Sequence, residues 1–231
     1  MIAKDISKIT YITTNKTNNK IKTSKETNEI LSILEKEFPD AVCGLNYTSP
    51  LELTLALILA AQCTDAMVNK IIPILFLRYP TIEELAIANI EDIEKIVKPC
   101  GFYRNKAKNI SLTVNKILND FNGNVPDTME DLTSLYGIGR KSSNIILQEC
   151  FNKIEGIAVD THVSRTCRKI GITKETIPLK QEQELIKKVD KYYFNKLNHI
   201  LVYHGRKYCD AKKPLCEICV INHLCNSYNN S

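Results

Sequence analysis

The sequence contains no tryptophan, and only eight glycines and eight prolines among its 231 residues. It also lacks a long apolar run. The longest, Leu55 to Ala61, falls well short of the ~20 residues that span a bilayer and suits a buried helix. The N-terminus has no charged-then-apolar layout of a secretory signal, and no arginine of the kind that transit peptides use. The chain is therefore expected to be cytoplasmic, associated with the nucleoid if the source is bacterial, and to have no membrane partner. No convincing alternating strand pair is present, so the fold class is all-α. Neither sign of charge dominates: 31 basic against 26 acidic residues leave a net charge of +5. That balance is compatible with nucleic acid but does not establish it. A hydrophobic fraction of 44% is enough for a core and argues against wholesale disorder. The length allows one large domain or two small ones. Nothing suggests an oligomer surface, so a monomer is expected.

Residues 1–22 are rich in Thr, Asn and Lys, with Asp5 the one acidic residue. They read as a loose basic tail with a short strand-like piece at Ile9 to Ile12. Helical periodicity begins at Ser24, where Ile30, Ile33, Leu34 and Phe38 share a face and Pro39 marks the stop. Thr48-Ser49-Pro50 opens a second helix, apolar nearly all round, which Gln62 and Thr64 end. Asp65 to Tyr79 forms a third, in which Pro73 is expected to kink or restart the helix. Thr81 and Asn89 cap two short helices. Gly101 closes the second of these, Lys106 to Phe121 forms a longer one, and Asn122-Gly123 turns the chain. Beyond Asp160, helices are expected to Ile170, from about Lys180 to Phe194, and through His199 to Lys207.

The stretch from Leu135 to Leu147 organises the rest. A short helix leads in from Asp127, Gly137-Ile138-Gly139 turns tightly, and a second helix carries Lys141 in its first turn. The opening N–H groups of that helix form a ready phosphate site. A Gly-x-Gly turn between helices is also a common structural device. A dinucleotide fingerprint fails here, because a helix precedes the glycines and the third glycine is missing. Downstream, Asp160 in Ala158-Val159-Asp160-Thr161-His162 sits where a helix N-cap would.

Nine cysteines in a reducing compartment point to metal rather than disulfides where they cluster. Four do: Cys209, Cys216, Cys219 and Cys225 fall within seventeen residues. Four thiolates on zinc are the first physical alternative, but zinc folds usually bring two close pairs, and only Cys216 and Cys219 form one. Cys43, Cys63, Cys100, Cys150 and Cys167 are scattered and read as small buried hydrophobes.

Hairpin, lysine, aspartate and cysteine cluster, in this order, closely resemble the endonuclease III branch of the helix-hairpin-helix DNA glycosylases, from about Ser24 to the last cysteine. The resemblance implies two helical domains flanking a DNA cleft. One is a six-helix bundle over 46–153. The other is a discontinuous domain of 24–45 and 154–231, with 1–23 left as the tail. It implies a [4Fe–4S] cluster on the four cysteines, whose 6-2-5 spacing matches that family. It implies double-stranded DNA containing damaged bases or abasic sites as partner, and excision of oxidised pyrimidines with strand cleavage. Lys141 would then be the nucleophile that forms a Schiff base, and Asp160 the companion carboxylate. Gly137, Gly139 and Arg140 would hold phosphate, and Lys212 and Lys213 would add charge from the cysteine loop. Gln62 would fill the gap left by the extruded nucleotide, and Phe102 would act as an apolar wedge. The loop departs from the family's usual Leu-Pro-Gly-Val-Gly in carrying Tyr136 for proline, and Ser142-Ser143 for Thr-Ala. Two rival functions remain at this point: a glycosylase for mismatched or deaminated bases on the same scaffold, and a non-catalytic DNA-binding module with a structural metal. An electron carrier would not need so long a helical scaffold.

Overall fold

The computed structural model describes residues 20–229, so the strand-like piece expected at Ile9 to Ile12 lies outside the described residues. Those residues are helical, with no strand among them. Side-chain caps start most of the helices. α1 (Ser24–Glu37) opens on a reciprocal capping box between Thr23 and Glu26. α2 (Pro50–Ala60) opens on Ser49 with proline in its first turn, and α3 (Asp65–Arg78) on Thr64. α4 (Ile82–Ala86) and α5 (Ile90–Val97) are capped by Thr81 and Asn89. α6 (Tyr103–Phe121), α7 (Met129–Thr133) and α8 (Arg140–Phe151) complete the first group. α9 (Thr161–Ile170), α10 (Pro178–Lys188), α11 (Leu197–Lys207) and the one-turn α12 (Asn226–Asn229) follow.

The apolar residues gather into two separate cores. The first is built on α2, whose residues Leu53 to Leu59 are all buried, with α3, α5, α6, α7 and α8 around it. A helix apolar on every side must be enclosed, and each fully buried leucine contributes about 1.5–3 kcal/mol. The second core joins Ile30, Leu31 and Leu34 of α1 to Val163 and Cys167 of α9, Leu185 of α10 and Leu201 of α11. The chain thus starts in the second core, passes through the first, and returns.

Several boundaries differ from expectation, each for a local reason. Pro73 does not restart α3, which runs unbroken. The proline lies on the exposed face, where water can take the carbonyl it frees, while Ile72 and Leu75 anchor the helix on both sides. α2 stops at Ala60, and Thr64 serves as cap to α3 rather than as an end to α2. α6 begins at Tyr103, three residues before Lys106, which is buried. The helix before the hairpin starts after Thr128, not Asp127; Asp127 instead accepts from Lys153 Nζ at 2.6 Å. The expected helix to Phe194 breaks at Val189 and resumes as a 3-10 turn at Lys191–Tyr193. Asn28 of α1 stabilises this break: its Nδ2 donates to Lys188 O and its Oδ1 accepts from Asp190 N. At the front end, Lys22 is already buried, with its N–H bonded to Gly171 O.

Candidate active site and nucleic-acid interface

The hairpin is pinned from one side. Thr113 of α6 donates to Tyr136 O at 2.9 Å, and Ile138 is buried beneath the turn. Gly137 takes φ +80, and a Cβ there would also come within 2.8 Å of Asn109 Nδ2. Gly139 caps α8 without a side chain, and the first intrahelical bond runs from Ser143 N to Gly139 O. The N–H groups of Arg140, Lys141 and Ser142 precede that bond and point out of the helix start.

Lys141 projects from this first turn into a cleft between the two cores. Asp160 lines the same cleft. It is the N-cap of α9, with Oδ1 accepting from Val163 N at 2.8 Å. A carboxylate held by its own helix start has a fixed direction. Two further charged residues line the cleft, Asp65 and Arg206, paired at 2.8 Å. These two were not singled out from the sequence. The one signal was the position of Asp65 directly after Gln62-Cys63-Thr64, and Arg206 lies 141 residues away from it.

The cleft is braced on its inner side. Glu149 of α8 accepts from Tyr47 Oη at 2.7 Å and sits 3.1 Å from His199 Nε2 of α11. The His199 bond, with help from Tyr47, holds the Glu149 carboxyl below the usual carboxylate range against the opposing effect of burial. Burial and the same carboxylate push the Tyr47 phenol up.

Arg140 faces a partner within the protein. Its Nε and Nη2 clasp Glu182 of α10 at 2.6 and 3.2 Å. Glu182 is buried, and Asn144 Nδ2 donates to it at 2.9 Å. The backbone must approach closely here, since a Cβ on Gly156 would lie 2.1 Å from Glu182 Oε1. Arg140→Ala leaves this buried carboxylate with Asn144 as its remaining side-chain donor. Loss of a charged hydrogen bond costs about 1.5–3 kcal/mol, so the thermal midpoint should fall by about 5 °C in a domain of this size. Arg140→Lys, which has no fork, should recover part of the loss. An unchanged midpoint in Arg140→Ala would show that the clasp adds no stability.

Gln62 and Phe102 emerge at two neighbouring surface loops and are both exposed. Both hold a left-handed backbone, at φ 53 and φ 49. Such conformations in residues with a Cβ cost roughly 1–2 kcal/mol. Asn122 and Asn152 share this conformation as helix C-caps, whereas Gln62 and Phe102 hold it on exposed loops. Gln62→Gly removes the strain but loosens the unfolded chain by a similar amount. Its stability should stay within about 0.5 kcal/mol of the parent while base excision falls about tenfold, the equivalent of one stacking contact. Equal losses in both measurements would place Gln62 in the fold alone.

The four clustered cysteines surround one cavity, with Ile170, Ile221 and Tyr208 on its other walls. Among the described residues no three His, Cys, Asp or Glu side chains converge closely enough to hold a single metal ion. The four thiols line one shared space, and thiolates in such a set can ligate an iron–sulfur cluster. Burial pushes the Cys209 and Cys219 thiols up, a penalty that binding to iron reverses. His204 Nε2 lies 3.3 Å from Cys219 Sγ, and Arg165 Nη2 donates to Cys209 O at 2.8 Å. Lys212 and Lys213 are exposed, and their N–H groups bond Asp210 Oδ1, which shapes the loop.

This fold and cleft define an HhH-GPD superfamily base excision DNA repair protein, and the model of that superfamily matches residues 55–191. The iron-sulfur binding domain of endonuclease III matches residues 209–225. Endonuclease III of Synechocystis sp. is 45% identical over 86% of this chain and 91% of its own length. That of Bacillus subtilis is 39% identical over 81% and 86%. The solved structure of a trapped endonuclease III–DNA covalent intermediate superposes with a TM-score of 0.86 at 35% identity, covering 90% of this chain and 98% of that one. The chain belongs to the endonuclease III family. It is a base-excision DNA glycosylase/lyase with a [4Fe–4S] cluster, and the four-thiol cavity fits that group. No helix among the described residues is long and apolar enough to cross a membrane.

Proposed function

We propose that the cleft excises oxidised pyrimidines from double-stranded DNA and then cuts the strand, with Lys141 as nucleophile. The observation that carries this is the shared cleft: a primary amine at one helix start and a capped carboxylate at another line the same opening between two cores. The damaged nucleotide must leave the stack before its glycosidic bond can be reached. The hairpin N–H groups, with Gly137 and Gly139 permitting close approach, hold phosphate without reading sequence. Gln62 fills the vacated space and Phe102 wedges the stack. Lys212 and Lys213 add positive charge on the cysteine-loop side. Arg140 contributes its backbone N–H, while its guanidinium braces Glu182. The exposed ring of Tyr136 meets DNA where the family's usual loop has proline.

The chemistry follows from these placements. The neutral Lys141 amine attacks C1′, and the C1′–N bond breaks with its electron pair leaving on the base, which takes a proton. The sugar ring opens to a Schiff base. The imine acidifies the C2′ proton, and its removal expels the 3′ phosphate by β-elimination. The Asp160 carboxylate stabilises the positive charge that grows on the sugar and assists proton movement at Lys141. Cys209, Cys216, Cys219 and Cys225 hold the cluster, which shapes the basic loop.

The two cores support division into two domains, 46–153 and 24–45 with 154–231, and Lys22 and Thr23, expected in the tail, pack with the latter. The protein acts as a monomer in the cytoplasm, on the nucleoid if the source is bacterial. Borohydride reduction of the enzyme on a thymine-glycol duplex tests the reading. A covalent adduct supports it. Base loss without an adduct on G·T or G·U duplexes would instead assign the mismatch activity. Binding with neither product would leave a DNA-binding module.

A further inference from the structure

His199 of α11 stands between two spaces. One is the catalytic cleft, about 80 Å³, which it lines together with Lys141 and Asp160. A volume of that size holds a few waters. The other is a cavity of about 330 Å³, where Glu149 lies beside it. His199 is buried, and its Nε2 lies 3.1 Å from Glu149 Oε1. Tyr47 Oη donates to the other oxygen of Glu149 at 2.7 Å. Two such bonds hold the carboxylate ionised. An ionised carboxylate only accepts, so the hydrogen of the ring sits on Nε2. Nδ1 is then the basic nitrogen, and among the described residues no hydrogen bond engages it. An imidazole fixed by an anion at one nitrogen and free at the other can take a proton and hold it. Asp160, by contrast, has Oδ1 committed to Val163 N–H.

We infer that His199, oriented by Glu149, is the positioning residue that carries a proton from Lys141 to the opening sugar, through one water of the cleft. This role presupposes the nucleophilic Lys141 of the proposed function. When neutral Nζ bonds to C1′ the nitrogen becomes a cation, and one of its two protons becomes acidic. That proton passes to the water, and the water passes one of its own to His199 Nδ1. The imidazolium so formed faces the Glu149 anion. The C1′–O4′ bond then breaks with its electron pair going to O4′, which takes the proton back from Nδ1 through the same water. The nitrogen lone pair closes the C=N bond. One proton leaves nitrogen, one arrives on oxygen, and His199 ends as it began. The other groups that face the ring do not compete for this role. Across the cleft Asp65 and Arg206 neutralise each other, and beside the second cavity Glu35 and Lys196 do the same at 2.6 Å. Burial pushes the Cys43 and Cys150 thiols up to about 11, and with Glu149 it pushes the Tyr47 phenol up as well, so all three keep their protons at neutral pH. Tyr203 of α11 adds a ring to the cleft wall.

The test is single-turnover excision on the thymine-glycol duplex by the cluster-loaded enzyme, followed from about pH 6 to 9. His199→Ala should be slower by about a hundredfold at neutral pH, the lower end of what a placed proton-transfer group contributes. Imidazole at millimolar levels should recover about tenfold of that loss by filling the space of the missing ring, and should leave the parent rate unchanged. Glu149→Gln still accepts the Nε2 hydrogen but has no charge to face an imidazolium. The acid limb of its profile should move down by roughly one pH unit and its plateau should drop. This variant also serves where His199→Ala does not fold. His199→Ala rates within about threefold of the parent across the pH range overturn the role, and so does an unshifted limb in Glu149→Gln. A loss that imidazole does not relieve makes the histidine a brace and overturns it too. Both variants should still give the borohydride adduct, only more slowly. An adduct that survives in Lys141→Ala would sink the nucleophile itself, whatever these two variants do.

Discussion

Lys141→Ala should keep the fold, lose the borohydride-trapped adduct entirely, and slow single-turnover base removal by at least about a thousandfold, as expected when a covalent nucleophile is deleted. Alanine is the best helix former, so the first turn of α8 tolerates it. The lysine also makes no hydrogen bond that holds the hairpin; that work falls to Thr113, Ile138 and Gly139. A thermal midpoint unchanged beside an abolished adduct separates chemistry from architecture. An adduct that persists in Lys141→Ala would move the nucleophile elsewhere. Unaltered base release with loss of the adduct alone would make the lysine a lyase residue and not a glycosylase one.

Asp160 does two jobs, and two substitutions separate them. Asp160→Asn keeps an oxygen for Val163 N–H, so the cap on α9 survives while the charge is removed. Its excision rate should drop by about a hundredfold or more, the scale of one electrostatic contribution to a transition state, with little change in stability. Asp160→Ala should show the same rate loss and be destabilised by about 1 kcal/mol more, because the cap goes as well. Thermal midpoints measured beside single-turnover rates decide it. If Asp160→Asn excises at the parent rate, the carboxylate is a cap and nothing further.

The parts of this site that were legible in the sequence are those written in short range. Ser49-Pro50, Thr81 and Asn89 announce helix starts because capping is a matter of neighbours. The Gly-Ile-Gly turn and Lys141 lie within five residues of each other, and Asp160 shows itself as a cap. What escaped notice depends on residues far apart in the chain. The Arg140–Glu182 clasp spans 42 positions and the Asp65–Arg206 pair 141, and neither leaves a periodic trace. Arg140 therefore looked free for phosphate when its guanidinium is engaged. The break at Val189 was hidden for the same reason, since the side chain that stabilises it belongs to Asn28, which bonds the carbonyl of Lys188, 160 residues further on. Lys106 read only as a helix start, because nothing local shows that a backbone carbonyl awaits it in the interior.

The return of the chain to its first core partner has a consequence during synthesis. The apolar face of α1, with Ile30, Leu31 and Leu34, packs on α10 and α11. α11 ends at Lys207, about 170 residues after α1. At translation speeds of about 5–20 residues per second, α1 waits roughly ten to thirty seconds without its mate. The intervening segment, which contains the whole of the first core, can collapse on the ribosome before then. An emerging chain therefore displays an unsatisfied greasy helix beside an already compact body, and a nascent-chain chaperone would find its foothold there.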